Sequence, residues 1–228
     1  MALLDPQPLH PALWLAAQLT RGTTPCVDTG IPVFSRQLPG GGWPQGQLTE
    51  LLLPQPGIGE LRLLQPPLAA QKLPVALVQP PLSPQPLGME LPPEQLLWIR
   101  NTGKPADSLW AAEQILRSGS CGAVLLWQQH MRTEALRRLH LAAQCGATLF
   151  FLLRPLAAAQ DSSPAPLRLA LRPARGGIEI EFIKRRGPQR DTPLFLPLTP
   201  TLLQRHASVD RPVPDPVTAR SILSELVG

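Results

Sequence analysis

A short apolar stretch, Gln47 to Leu53, runs into Pro54-Gln55-Pro56-Gly57-Ile58-Gly59 and then into a segment with helical character from Glu60. A strand, a glycine-containing loop and a helix form the setting in which backbone N–H groups cradle a nucleotide's phosphates. The working pattern is a glycine, four spacers, then Gly-Lys followed by Ser or Thr. The lysine neutralises phosphate charge and the hydroxyl holds magnesium. Here Gly59 stands at the second glycine, but Pro54 takes the place of the first, Glu60 that of the lysine and Leu61 that of the hydroxyl. A charge pair about 4 Å apart at an effective dielectric near 20 is worth about 4 kcal/mol, so exchanging cation for anion is a swing approaching about 8 kcal/mol before solvent relaxes. Leu61 has no oxygen for a metal. The sequence therefore predicts a degenerate phosphate loop with no bound cofactor.

Other chemistry has weaker support. The histidines His10, His130, His140 and His206 fall in four different segments, and no Cys-x-x-Cys or His-x-x-x-His spacing accompanies Cys26-x-Asp28, so no metal site is predicted. Gly119-Ser120-Cys121-Gly122 does not have the Gly-x-Ser-x-Gly spacing of a hydrolase nucleophile turn, so no catalytic residue is predicted. Trp43 and Trp127 are expected beside the dead loop, with Trp110 on a helix; they read either as filling the space a nucleotide and magnesium would take or as stacking bases. The run Lys184-Arg185-Arg186, with Arg175 and Arg190 nearby, has only Asp191 as a local acid. It reads either as a contact for a partner or DNA, or as a solvated turn.

These residues need elements to hold them. The chain has 228 residues, of which 30 are proline, where ordinary usage near 5% would give about 11. Hydrophobic content is 43% and charged content 16%, which excludes wholesale disorder. The net charge of +5 and the pI near 9.9 allow weak DNA contact without requiring it. Three widely spaced cysteines fit a reduced, cytoplasmic chain. The proline-broken start is not a signal peptide, and the best apolar run, Ala147 to Leu153, is too short to cross a membrane.

Apolar segments at 72–79, 96–99, 123–127 and 148–153 predict buried strands, the last stopped by Arg154-Pro155. Helices are expected from Glu60, from Ser108 as a side-chain cap, and from Thr133 as another. Leu109, Ala112, Ile115 and Leu116 line one helix; Leu136, Leu139, His140 and Ala143 line the next. Strands apolar on both faces belong in a parallel sheet with helices on each side. From Leu167 the period becomes two. Leu167, Leu169 and Leu171 alternate with Arg168 and Arg172; Ile178, Ile180 and Phe182 alternate with Glu179 and Glu181, across a turn at 173–177. This predicts an antiparallel hairpin whose arginines and glutamates share a wet face and pair. Pro193 to Leu198 adds a last strand. An N-terminal arm, 1–24, holds a short helix near Pro11 to Leu19. A proline-rich linker and an amphipathic helix occupy 199–228, with Ala219, Ile222, Leu223 and Leu226 on one side. That helix either docks on a partner or packs back on the core.

The segments around the broken loop carry a resemblance. Thr29-Gly30-Ile31, then Leu38-Pro39-Gly40-Gly41-Gly42-Trp43-Pro44-Gln45-Gly46, then Gln47-Leu48-Thr49-Glu50-Leu51 resemble the approach to the nucleotide loop of RecA recombinases, and the order of elements to Leu153 fits a RecA-like core over 25–198. The resemblance implies a catalytic glutamate after the second core strand, yet Val75 to Pro81 holds no acid. It implies an aspartate ending a later strand, where Trp127 stands, and a phosphate-sensing glutamine where Arg154 follows Leu153. The missing lysine, hydroxyl, glutamate and aspartate, four coordinated losses, predict a pseudo-ATPase.

Two RecA-like families have lost the nucleotide site in this way. The stretches His10-Pro11-Ala12-Leu13-Trp14, Val27-Asp28-Thr29-Gly30, Gln55 to Arg62 and Ile183-Lys184-Arg185-Arg186-Gly187 resemble ImuA, the accessory family of mutagenic translesion synthesis. Leu109 to Pro155 also suits SulA, the SOS inhibitor of cell division that binds FtsZ. The ImuA resemblance implies a non-catalytic role in the SOS response. Its implied partners are an ImuB-type polymerase-like adaptor, a RecA filament and an error-prone polymerase, and its implied location is the cytoplasm, at the nucleoid when engaged. In RecA proteins basic residues at a strand end reach across the filament joint, and Lys184 and Arg186 match that spacing.

Overall fold

The computed structural model describes residues 24–82, 91–100, 105–187 and 190–198, all within the compact unit Met1–Leu198. The expected arm helix at 11–19 and the helix carrying Ala219, Ile222, Leu223 and Leu226 lie outside the described residues.

The described chain is a mixed α/β structure. In order it runs through β1 (Cys26–Val27), the single turn α1 (Pro32–Ser35), β2 (Trp43–Pro44), β3 (Leu48–Leu53), α2 (Glu60–Ala69), β4 (Val75–Val78), β5 (Leu96–Ile99), α3 (Pro105–Ser118), β6 (Ala123–Trp127), α4 (Thr133–Ala143), β7 (Leu149–Pro155), β8 (Leu167–Ala174), β9 (Gly177–Lys184) and β10 (Leu194–Pro197). Eight strands form one sheet in the order β10-β9-β8-β3-β7-β6-β4-β5. Pairing is parallel from β8 to β5 and antiparallel for β8–β9 and β9–β10.

The apolar strands explain this arrangement. Every residue of β3, β4 and β6 is buried, Trp127 at the end of β6 being the most exposed at 9%, which requires cover on both faces. One face packs Leu51, Leu53, Leu77 and Leu125 against Leu63, Leu64 and Leu68 of α2. The other packs Leu48, Val78, Val124 and Phe150 against Ala112 and Leu116 of α3 and Leu136 and Leu139 of α4. Glu113 ties those two helices by accepting from Arg117 at 3.0 Å and Arg138 at 2.7 Å.

Several local expectations change. Ser108 does not cap α3, which begins at Pro105; it is buried and bonds Gln79 Nε2 at 2.6 Å. Thr133 is the first residue of α4 and makes no side-chain cap bond. β7 continues through Arg154 and Pro155, because β3 beside it supplies partners for both positions. α2 carries Pro66 and Pro67 in its interior. Prolines lack the N–H that a helix interior uses, so local propensity disfavours this; burial of Leu63, Leu64, Pro67 and Leu68 outweighs it. The Pro66 ring approaches Gly30 so closely that a Cβ there would meet it at 2.4 Å, and Gly30 also holds φ +74, so this contact needs glycine. The hairpin forms as expected, but its first strand lies beside the central β3 and only Arg172 of its arginines is on the wet face. Arg168 is buried.

Candidate functional site

The loops after β3 and after β6 and β7 leave the sheet toward opposite faces, and this divergence opens a crevice at the strands' C-terminal ends, where α/β folds bind ligands. A cleft of about 910 Å³ occupies that rim. Its walls come from Leu53 to Pro56 after β3, Gln79 to Leu82 after β4, Trp98 and Arg100 at β5, Trp127 to His130 after β6, and Leu153 to Pro155 at β7.

At one edge lies the degenerate loop. Gly57 (φ +87) and Gly59 (φ +119) adopt the left-handed backbone that turns N–H groups inward. Their partner is the chain's own Glu60. One carboxylate oxygen accepts from Gly57 N–H at 2.7 Å, and the other accepts from Gly59 N–H at 3.2 Å. Glu60 is 2% exposed. A carboxylate at the first turn of a helix is also favoured by the helix dipole. The loop thus turns two N–H groups toward one carboxylate and fills that turn from within. A phosphate would have to displace a carboxylate held by two N–H groups and would meet no lysine. Leu61 packs against the core beside it, and Pro54 is exposed at the end of β3.

The rest of the rim is built of proline, glutamine and tryptophan. Pro54, Pro56, Pro80, Pro81 and Pro155 contribute no backbone donor. Gln79 sits at φ +54, uncommon for a residue with a side chain. It is held there by its bond to Ser108 and by its N–H donating to Ile99 O at 2.9 Å. Arg100 lies over the Trp98 ring at 4.1 Å. Trp127, 9% exposed, has an indole N–H with no hydrogen-bond partner. Trp43 is not in the cleft: it is fully buried on the α2 face, edge-on to Phe34 at 5.3 Å and Phe151 at 5.1 Å. Its position is fixed by aromatic packing on the far side of the core, which loop proximity in sequence does not reveal.

Below the rim is an ionic cluster that sequence reasoning missed. Glu50, in the middle of β3, is completely buried. It accepts from Arg168 Nε and lies 3.5 Å from Arg154 Nη1. Arg154 Nη2 reaches Asp161 at 2.8 Å, and Arg168 Nη2 donates to Ala158 O at 2.8 Å. An acid within a strand of four leucines was the available signal, since a buried carboxylate needs a cation. The register Glu50↔Arg168 and Leu52↔Arg154 brings both within reach.

The basic run sits at the opposite end of the sheet. Lys184 Nζ donates to Ser163 O at 3.0 Å, and Arg185 donates to Gln37 O at 2.7 Å while stacking on Phe182 at 5.0 Å. Burial, then the charge of Arg190, lowers the pKa of Arg185. Arg186 is exposed. Burial depresses the pKa of His140 on α4, and the charges of Arg186 and Lys184 add to it. Two of the three basic residues thus anchor loops, and the third faces solvent. At the chain's start, Asp28 accepts from Ser35 Oγ at 2.6 Å and Gly30 N–H at 3.3 Å. These bonds, the serine first, lower its pKa.

Among the described residues, no helix is long and apolar enough to cross a membrane. No protein-family model matches the chain. The chain is similar to the cell division inhibitor SulA of Pectobacterium atrosepticum, with 35% identity over 88 residues. The match takes in 32% of this chain and 52% of that protein, so the chain spans about half the length of the curated relative it matches.

Proposed function

We propose that the chain is a non-catalytic protein of the SOS response that acts through protein partners. The observation that carries this reading is the Glu60 carboxylate bound by the N–H groups of Gly57 and Gly59, an internal anion where a nucleotide enzyme receives phosphate. Acids are also missing at the ends of β4 and β6, where Gln79 and Trp127 stand. The similarity to a SulA protein supports the link to the SOS response. Isothermal calorimetry with ATP and magnesium should give no heat of binding, and a phosphate-release assay no turnover. Micromolar binding with turnover refutes the reading.

Within that class, the resemblance to ImuA favours an accessory role in mutagenic translesion synthesis, with a RecA-like core over 25–198 between adaptor termini. Its partners would be an ImuB-type adaptor, a RecA filament and an error-prone polymerase, engaged at the nucleoid. Lys184 and Arg186 would face the RecA filament, and the helix of Ala219, Ile222, Leu223 and Leu226 would dock on a partner. Co-expression with an ImuB protein should yield a complex by gel filtration. Deleting 212–228 should weaken that complex and leave the melting temperature of the core unchanged.

The second reading is a division inhibitor that binds FtsZ, favoured by the SulA similarity itself. Overexpression then makes cells filament, and purified protein lowers FtsZ assembly. Filamentation without ImuB binding selects this reading; ImuB binding without filamentation selects the first.

A further inference from the structure

The rim cleft is not explained by loss of a nucleotide alone. Glu60 closes the phosphate loop, yet about 910 Å³ remains beside it, within the range of ligand sites. Its lining has a definite chemistry. No acid is among the described lining residues, which include Arg100, Arg154, His130 and the glutamines Gln55, Gln79, Gln128 and Gln129. Arg154 is committed to Glu50 and Asp161. Arg100 is not: it has no ion pair among the described residues, is exposed, and is held at the rim by the face of Trp98 at 4.1 Å. That stacking fixes the guanidinium and leaves its N–H fork for a carboxylate.

The walls discriminate between acceptor-rich ligands. Phosphate sites draw on runs of backbone N–H groups. Here five wall positions are prolines, without an N–H, and the Gly57 and Gly59 donors are taken. The side-chain donors at the wall are amides, a guanidinium and an imidazole. Amide side chains both give and accept hydrogen bonds, which suits a peptide backbone. Leu82, 73% exposed at the rim, and Trp98 offer apolar surface to a side chain. We infer that this cleft binds an extended acidic peptide segment of a partner protein. A carboxylate would lie on Arg100, and a neighbouring apolar side chain against Trp98 and Leu82. The inference stands on the cleft and does not depend on which SOS partner is correct.

The test is a selection from displayed random peptides of about twelve residues, up to about 40 Å long when extended, on the full-length protein. Winners are then resynthesised with a fluorescein label and titrated by anisotropy. The expected winners carry net negative charge and an aliphatic or aromatic residue. Arg100→Glu should weaken them about ten-fold or more, as reversal of a paired charge does, and Trp98→Ala should weaken them less. Both variants should keep the wild-type far-ultraviolet spectrum and melting temperature, since Arg100 and Trp98 lie at the rim; His130→Glu, which adds a negative charge to the same wall, is an independent test if either fails to fold. The proposal is overturned if no peptide is enriched over empty resin, if the winners are neutral or basic, or if they bind Arg100→Glu and His130→Glu at wild-type affinity. A labelled oligothymidine that binds wild type and is lost in Arg100→Glu would overturn it in favour of single-stranded nucleic acid.

Discussion

Two glutamates, ten positions apart on either side of the β3 terminus, show how this chain handles a buried negative charge. Glu50 is 0% exposed and Glu60 2%, so each has left water and needs compensation. Glu60 finds it locally, from N–H groups one and three residues back in a glycine turn. Glu50 finds it at a distance, from arginines 104 and 118 positions later in the chain. The local solution uses neutral dipoles and leaves part of the loop wet, since Gly57 is exposed. The distant one brings three charged groups into the interior, with Arg154 and Arg168 almost as buried as their partner. Failure of the first leaves N–H groups that water can reach in part. Failure of the second leaves Arg168 buried without a carboxylate among the described residues, and Arg154 with Asp161 alone.

The comparison breaks first at Glu50. Glu50→Ala should cost about 3–5 kcal/mol in chemical denaturation, because it leaves buried Arg168 with carbonyl partners alone and Arg154 with Asp161. Replacing the whole cluster, with Glu50→Leu, Arg154→Met and Arg168→Met together, should recover most of that loss, since a packed apolar substitute for a buried ionic group is often neutral or better. A triple variant as unstable as the single one would mean that the cluster specifies the strand register and does more than satisfy itself.

Glu60→Ala should cost about 1 kcal/mol, toward the low end for an orphaned donor, because water can take the Gly57 N–H. Glu60→Gln should cost less, as its amide keeps one acceptor oxygen. Glu60→Lys with Leu61→Thr restores the cation and the hydroxyl of a phosphate loop, yet phosphate release should stay at background, because no acid stands at the ends of β4 or β6 to activate water or hold magnesium. Turnover in that variant would show that the remaining rim is competent.

A smaller effect sharpens the contrast within one strand. Arg172, two turns of the β8 pleat from Arg168 on the same face, lies 3.8 Å from Glu181, with both side chains about half exposed. Arg172→Ala should change stability by less than about 0.5 kcal/mol, whereas Arg168→Ala should match the loss at Glu50. The smallest effect is electrostatic. The pKa of His140 is held below its ordinary value, so the unfolded chain takes up a proton that the folded chain resists. Stability is therefore whole above about pH 6.5 and declines as pH falls from there to the folded-state value. Lys184→Ala with Arg186→Ala removes the two like charges and should raise the His140 pKa in an NMR titration, with burial keeping it below that of an exposed histidine.

The sequence by itself determined the parts whose cause is local. The apolar runs of β3, β4 and β6 demanded burial on both faces, the two-residue period after Leu167 demanded a hairpin, and Glu60 directly after Gly59 put a carboxylate beside the loop's own N–H groups. What Glu60 does there was legible in principle, since its partners are three residues away or fewer. Tertiary structure alone decided the rest. Arg154 reads as the end of a strand until β3 lies beside it. Arg168 reads as one of two outward arginines until β3 takes it inside and leaves Arg172 outside. Pro66 and Pro67 read as helix breakers until α2 is packed on the sheet and Gly30 makes room. Trp43 reads as a neighbour of the loop, yet Phe34 and Phe151 hold it across the core. The rim cleft draws on five strands whose ends are adjacent only in the sheet order. In each case the deciding energy comes from burial and pairing between segments far apart in sequence, while composition, period and spacing report only what a segment prefers before it has neighbours.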